Sequence, residues 1–130
     1  MIPVFVYGTL LTGESNHHVV ASYVRSVRPG VVHGSLYDVG AYPALVQEHS
    51  ASGRMVEGEW LLVEDAGLIA MDELEEYYGP GQSNDYERVW IRDAADESLE
   101  GWVYVWASSR GCPLIDKRSW REHCSSRSRQ

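Results

Sequence analysis

Residues 2–10 read IPVFVYGTL, an apolar, aromatic and β-branched run that stops at a glycine. That is the pattern of a buried strand ending in a sharp turn. The chain then passes through TLLTGES (residues 9–15) into a segment where Val19, Val20, Tyr23, Val24 and Val27 recur at i, i+1, i+4, i+5 and i+8. This spacing puts them on one helical face, with Ser15 or Asn16 as N-cap and Pro29-Gly30 as the stop. Residues 31–39, 54–63, 86–91 and 102–106 read as strands divided by Gly, Pro, Asn or Asp. A second helix is expected over residues 65–78, with Asp65 as N-cap, before the turn-rich GPGQSN of residues 79–84.

This order of elements predicts an α+β fold: a small single domain whose mixed, mostly antiparallel sheet curls into a partial barrel with flanking helices. A chain of 130 residues is one domain in size, and 44% apolar with 23% charged residues is ordinary globular composition. Residues 1–112 are expected to form the domain and residues 113–130 a partly flexible C-terminal helix or tail. In that tail Arg118, Arg121, Arg127 and Arg129 are interspersed with serines, the composition of a frayed, solvated end.

A net charge of −8 disfavours nucleic acid and anionic membrane surfaces, which are held by Lys and Arg. No apolar run approaches the roughly 18 residues of a membrane span. The only cysteines, Cys112 and Cys124, lack companions at zinc-site spacing, and a reducing cytoplasmic setting is expected. The sequence holds no GxGxxG, no GxxxxGK[ST] and no GxSxG, and neither thiol has an activating context. Adjacent histidines such as His17-His18 face different ways on a helix and make a poor metal pair.

On the expected second helix, Leu68, Met71, Leu74 and Tyr78 share the arc that faces the core, and Glu75 falls inside that arc while Glu73 and Glu76 point away. A carboxylate aimed at an apolar interior loses hydration, which raises its pKa; it then finds a partner, such as Arg88, or serves chemistry near neutral pH. The turn after the first strand, with Gly8, Thr9 and a second glycine at 13, can aim several backbone N–H groups at one spot, as an anion nest or a plain turn would. Tyr7, Tyr42, Tyr77 and Tyr86 lie beside turns, where their hydroxyls could reach a cavity.

VFVYGTLLTGESNH, GSLYDVGAYPALV, MDELEEY followed by YERVWI, and GWVYVW, in this order over residues 3–106, resemble the gamma-glutamylcyclotransferase-like family. The resemblance implies a curled α+β domain with a cavity between the first loop and the acidic helix, and no cofactor or metal. It implies Glu75 as general base and acid, with Tyr7, Gly8, Thr9 and Leu10 binding the substrate. Tyr42 and Tyr86 are further substrate-binding candidates, and Arg88 is a lesser one. The implied reaction is intramolecular: the α-amine of a gamma-glutamyl amine or peptide attacks its own γ-carbonyl, forms 5-oxoproline and releases an amine. Specificity for that amine is expected in the loop of residues 78–85. The competing expectation is a silent domain that binds gamma-glutamyl compounds without turning them over.

Overall fold

The computed structural model describes residues 1–49 and 52–128, the side chain of residue 128 excepted. It is a small α+β domain with a six-stranded mixed sheet and two α-helices. The strands are β1 (Ile2–Val6), β2 (Val24–Asp38), β3 (Pro43–Gln47), β4 (Met55–Val63), β5 (Glu87–Arg92) and β6 (Glu100–Val105); the helices are α1 (Asp65–Leu74) and α2 (Trp120–Ser128). The sheet order is β3-β2-β4-β1-β6-β5. All neighbours are antiparallel except β1 and β6.

Two devices curl this sheet. The fifteen-residue β2 pairs with β4 over residues 24–33 and with β3 over residues 34–38, so one strand turns from one partner to the other. At the far side, the Trp106 N–H just past β6 donates to the Leu45 carbonyl of β3 at 2.9 Å, which brings two non-neighbouring strands together. Both faces of β1 are covered: Val4 and Val6 join one apolar cluster, Phe5 and Tyr7 the other. Double burial is why β1 reads as a continuous apolar run rather than an alternating one.

Three expectations are corrected by the structure. Residues 19–27 form no α-helix; short 3-10 turns at His17–Val19 and Ala21–Tyr23 lead directly into β2. The β-branched residues that mimicked a helical face satisfy a strand equally well, and β4 supplies the hydrogen bonds. Pro29 does not stop the segment because β2 has no second partner at that point and its missing N–H goes unused. Strand β3 lies in a stretch to which the sequence pattern assigned no element.

The second helix ends four residues earlier than expected. Asp65 is its first residue rather than its cap; Glu64 is the N-cap and pairs with Arg25 at 2.6 Å. At the other end Glu75 is the C-cap and Glu76 is left-handed, with φ of 54°. The Tyr77 N–H donates to the Asp72 carbonyl at 2.9 Å and the Glu76 N–H to the Glu73 carbonyl at 3.3 Å. This paired reversal is a Schellman stop, and it inverts the helical projection beyond Leu74. Tyr77 is therefore buried and Tyr78, expected in the core, is 66% exposed.

The third correction concerns part of the tail: the expected C-terminal helix forms as α2, but the segment is not wholly solvated. Within residues 113–128, Ile115 and Trp120 are 3% and 4% exposed and belong to the cluster of Phe5 and Tyr7. Burying the Trp120 indole stabilises the packed end by roughly 2–3 kcal/mol, which a solvated tail would forgo. Arg129 lies outside the described residues. No helix among the described residues is long and apolar enough to cross a membrane.

Left-handed backbone at a non-glycine residue costs about 1–2 kcal/mol, part of which a glycine recovers against its own entropic cost of about 0.5–1 kcal/mol. Glu76→Gly is expected to stabilise the fold by about 0.5–1 kcal/mol and to raise the thermal midpoint by a few degrees. A calorimetric scan with an unchanged or lower midpoint would show that residue 76 is unstrained.

Candidate functional site

A cavity of about 260 Å³ opens between the loop after β1 and the C-terminal end of α1. That is about nine water volumes at ~30 Å³ each, room for a group the size of one amino acid. Tyr7, Gly8, Thr9 and Leu10 line one side, Glu75 and Glu76 another, and Tyr42, Asp85 and Tyr86 the rim and wall. All seven site residues singled out from the sequence thus border one space. Asp85, from the loop of residues 78–85 expected to set specificity, also borders it, as do Asn16 and Glu76, to which sequence reasoning gave no place there. The reversal after Leu74 explains the last of these: it delivers two successive side chains, Glu75 and Glu76, to the same rim.

The loop is fixed by contacts that leave its amides open. Asn16 donates from its backbone to the Thr9 carbonyl at 2.8 Å and from Nδ2 to Thr9 Oγ1 at 2.9 Å. His17 Nδ1 lies 2.8 Å from the Leu10 carbonyl, and His18 Nδ1 lies 3.0 Å from the Ser15 carbonyl. The N–H groups of Gly8, Thr9 and Leu10 meet no acceptor among the described residues. Gly8 is required for close approach: a Cβ there would sit 2.7 Å from two ring carbons of Pro43. Oriented amides of this kind bind anionic oxygens.

The tyrosines divide by role. The Tyr7 hydroxyl donates to the Tyr104 carbonyl at 2.6 Å and accepts from the Leu45 N–H at 3.2 Å. Tyr86 donates to the Pro43 carbonyl at 2.8 Å. Burial above all, with the charge of Glu75 contributing, pushes both phenols far above their ordinary range and keeps them protonated. Their rings wall the cavity while their hydroxyls are committed to the frame. Tyr42 stands at the rim, its ring centroid 6.4 Å from that of Tyr86.

Glu75 has no hydrogen bond or ion pair to its carboxylate among the described residues. The cation that could have neutralised it is engaged elsewhere. Arg88 pairs with Asp72 at 2.7 Å and lies over the rings of Tyr77 and Trp102, outside the cavity lining. Tyr104 donates to the other oxygen of Asp72 at 2.6 Å. Loss of hydration, reinforced by the negative charge of Asp85, raises Glu75 from 4.5 to about 7. Asp85 itself is held by Arg110, whose Nη1 is 3.1 Å from Oδ1 and whose guanidinium lies 3.8 Å over the Trp106 ring.

The family model for Gamma-glutamyl cyclotransferase, AIG2-like, matches residues 4–122. The chain belongs to this family. Within it, gamma-L-glutamyl-butirosin B gamma-glutamyl cyclotransferase of Niallia circulans is 40% identical over 106 residues, 78% of this chain and 65% of that protein's length. A Vibrio cholerae protein that carries the gamma-glutamylcyclotransferase name is 35% identical over 120 residues, covering 90% and 93% of the two chains. The crystal structure of an AIG2-like protein from Mus musculus superposes with a TM-score of 0.71 at 25% identity, over 92% of this chain and 88% of the mouse chain. Membership agrees with the resemblance carried by the YGTL and MDELEEY segments and extends through Trp120, into the helix that closes the core.

A carboxyl that titrates near 4.5 when unfolded and near 7 when folded keeps its proton in the native state across that window. Native stability therefore falls as pH rises from 4.5 through 7, and the loss is complete above it. Glutamine has no such titration. At pH 8 Glu75→Gln is expected to exceed the wild type in stability by about 2–3 kcal/mol, and the gap should close as pH falls toward 4.5. Chemical denaturation at both ends of that range checks it; equal stability throughout would mean that Glu75 titrates normally.

Proposed function

We propose that the chain is a gamma-glutamylcyclotransferase that converts a gamma-glutamyl amine or peptide into 5-oxoproline and a free amine, with Glu75 as general base and acid. The observation that carries this reading is an unpartnered carboxylate poised near neutrality, facing the same small cavity as three amides without acceptors. The family membership of the chain supports the same reaction class.

In this reaction the substrate supplies its own nucleophile, which accounts for the lack of an activated Ser or Cys. Glu75 takes a proton from the α-ammonium, and the freed amine attacks the γ-carbonyl carbon. The new C–N bond closes the lactam ring as the bond to the leaving nitrogen breaks. Glu75 returns its proton to that nitrogen, and the second proton shed by the attacking nitrogen also ends there, so the amine departs as an ammonium. The amides of Gly8, Thr9 and Leu10 bind an anionic oxygen, either the α-carboxylate or the oxyanion that develops during attack. Holding the glutamyl chain bent, with amine beside carbonyl, supplies the proximity that an intramolecular reaction needs. Residues 78–85 flank the cavity through Asp85 and are assigned to the leaving group. A cytoplasmic setting is part of this reading, and both thiols are free.

Wild type and Glu75→Gln should be incubated with a panel of gamma-glutamyl amines and dipeptides while 5-oxoproline is measured. The glutamine variant is expected to bind substrate but to lose at least about 10²-fold in turnover. Equal product from both proteins would remove Glu75 from the mechanism; saturable binding without product in the wild type would favour the silent domain.

Because Glu75 must be ionised to accept a proton, kcat/KM should fall as pH drops through about 7. Asp85→Asn removes a negative charge that holds that value up, so the acidic limb should move to lower pH. A limb that stays in place, or moves up, would show that Asp85 does not act on Glu75.

A further inference from the structure

Two loops frame the cavity, and both are fastened to the same element, α2. The first is the loop after β1. There Glu59 of β4 accepts from the Thr12 N–H at 2.9 Å and from its hydroxyl at 3.0 Å. Arg121 of α2 lies 3.7 Å from the other oxygen of Glu59 and 3.6 Å from Glu14, and donates to the Thr12 carbonyl. One guanidinium thus holds two acceptors on the stretch that carries the open amides, Glu14 and the Thr12 carbonyl, and a third, Glu59, on the strand behind it. The planar fork of Arg suits such multiple engagement.

The second loop carries Tyr42. Its base, Asp38, accepts from the Gly40 N–H at 2.8 Å through one oxygen. The other oxygen meets His123 Nε2 at 2.8 Å and Arg127 Nη1 at 3.4 Å, both from α2. Arg127 also reaches the Gly40 carbonyl at 3.4 Å. Between the loops and the helix lies a second, open space bordered by Thr9, Gly40, Trp120 and Arg127, so Thr9 separates it from the main cavity. The helix faces the back of both loops.

The polar side chains Arg121, His123 and Arg127 of the helix reach the two loops at Thr12, Glu14 and Gly40, and the sheet at Glu59 of β4 and at Asp38, the last residue of β2, where the second loop begins. Neither loop contains regular structure beyond its own turns, so these contacts set where the Gly8 to Leu10 amides and the Tyr42 ring stand.

We propose that Arg121 and His123 are positioning residues: α2 braces both walls of the cavity, and Arg121 fixes the loop whose amides bind the substrate's oxygen. This rests on the cyclotransferase reading for its effect on turnover, whereas the mechanical part does not. The pair touches no reacting atom and acts only through the loops.

Hydrogen exchange followed by mass spectrometry on wild type, Arg121→Met and Arg121→Lys separates the parts. In Arg121→Met, exchange is expected to rise over residues 8–16 and to stay unchanged in β1, β4 and β6. With a gamma-glutamyl amine that the wild type turns over, its kcat/KM should drop about tenfold, the scale of a small displacement of a binding group. Lysine, which keeps a cation near the same acceptors, should restore most of both properties. Unchanged exchange over residues 8–16, a rise spread evenly through the sheet, or faster loop exchange with undiminished kcat/KM would each overturn the proposal. If the wild type turns over no substrate in the panel, the cyclotransferase reading fails on its own terms; the exchange experiment and calorimetric binding of the same amides to both proteins then decide whether the brace exists.

Discussion

One phenol holds together strands that the sheet order keeps apart. Tyr7 leaves the end of β1, donates to the carbonyl of Tyr104 on β6 and accepts from the N–H of Leu45 on β3. In the sheet, two strands, β2 and β4, lie between β3 and β1 on one side, and β6 adjoins β1 on the other. Their meeting across Tyr7, backed by the bond between Trp106 and Leu45, forces the sheet to curl, and the curl leaves a concave end. The cavity is that end. A buried hydroxyl satisfied on both sides is costly to disturb, because removing it strands the Leu45 N–H in an apolar interior. The tyrosine of YGTL therefore acts through the frame, and the three residues behind it face the open space.

The charges of the concave end are sorted by the same geometry. Two acidic residues near the end of α1 have opposite fates. Asp72 is neutralised by Arg88 and the Tyr104 hydroxyl, while Glu75, three residues on, receives neither. Without a partner its charge is disfavoured by burial, and the nearby Asp85 adds to the effect. An ion pair with Arg88 would have stabilised the ionised carboxylate and returned it toward the ordinary range. Withholding the cation costs stability above neutral pH and, in the proposed reaction, leaves a proton acceptor that operates there.

Much of this was legible in the sequence because it depends on local patterns. β1 was readable from its apolar run, and Glu75 from its place among Leu68, Met71 and Leu74. The helical projection gave the right residue for a reason valid only as far as Leu74. Beyond it, the Schellman reversal at Glu76 exchanged the fates of Tyr77 and Tyr78, and no glycine marked the spot. The segment of residues 19–27 was misread because its valines fit both periods and only β4, distant in sequence, decides between them. The tail was legible as a C-terminal helix, but its serines and arginines hid the burial of Ile115 and Trp120 that seats the segment on the core. Asp85 and Asn16 carried no periodic signal; what brings them to the cavity is the meeting of loops, a tertiary fact.

The cavity has electrical poles as well as a shape. Unfilled N–H groups on the β1 loop present partial positive charge, while Glu75, Glu76 and Asp85 line the space from other elements. A gamma-glutamyl group is a zwitterion with a chain flexible enough to place its amine beside its γ-carbonyl. In the proposed reaction the acidic side attracts the ammonium and the amide side attracts an anionic oxygen, so orientation follows from field as much as from fit. That arrangement has an internal tension, since the charge that draws the ammonium also raises the pKa of the base. Burial does most to hold Glu75 near neutrality, and Asp85, its charge tempered by pairing with Arg110, adds to it. A stronger acidic surround would keep Glu75 protonated and idle at neutral pH, and a weaker one would leave it too poor a base to take a proton from an ammonium.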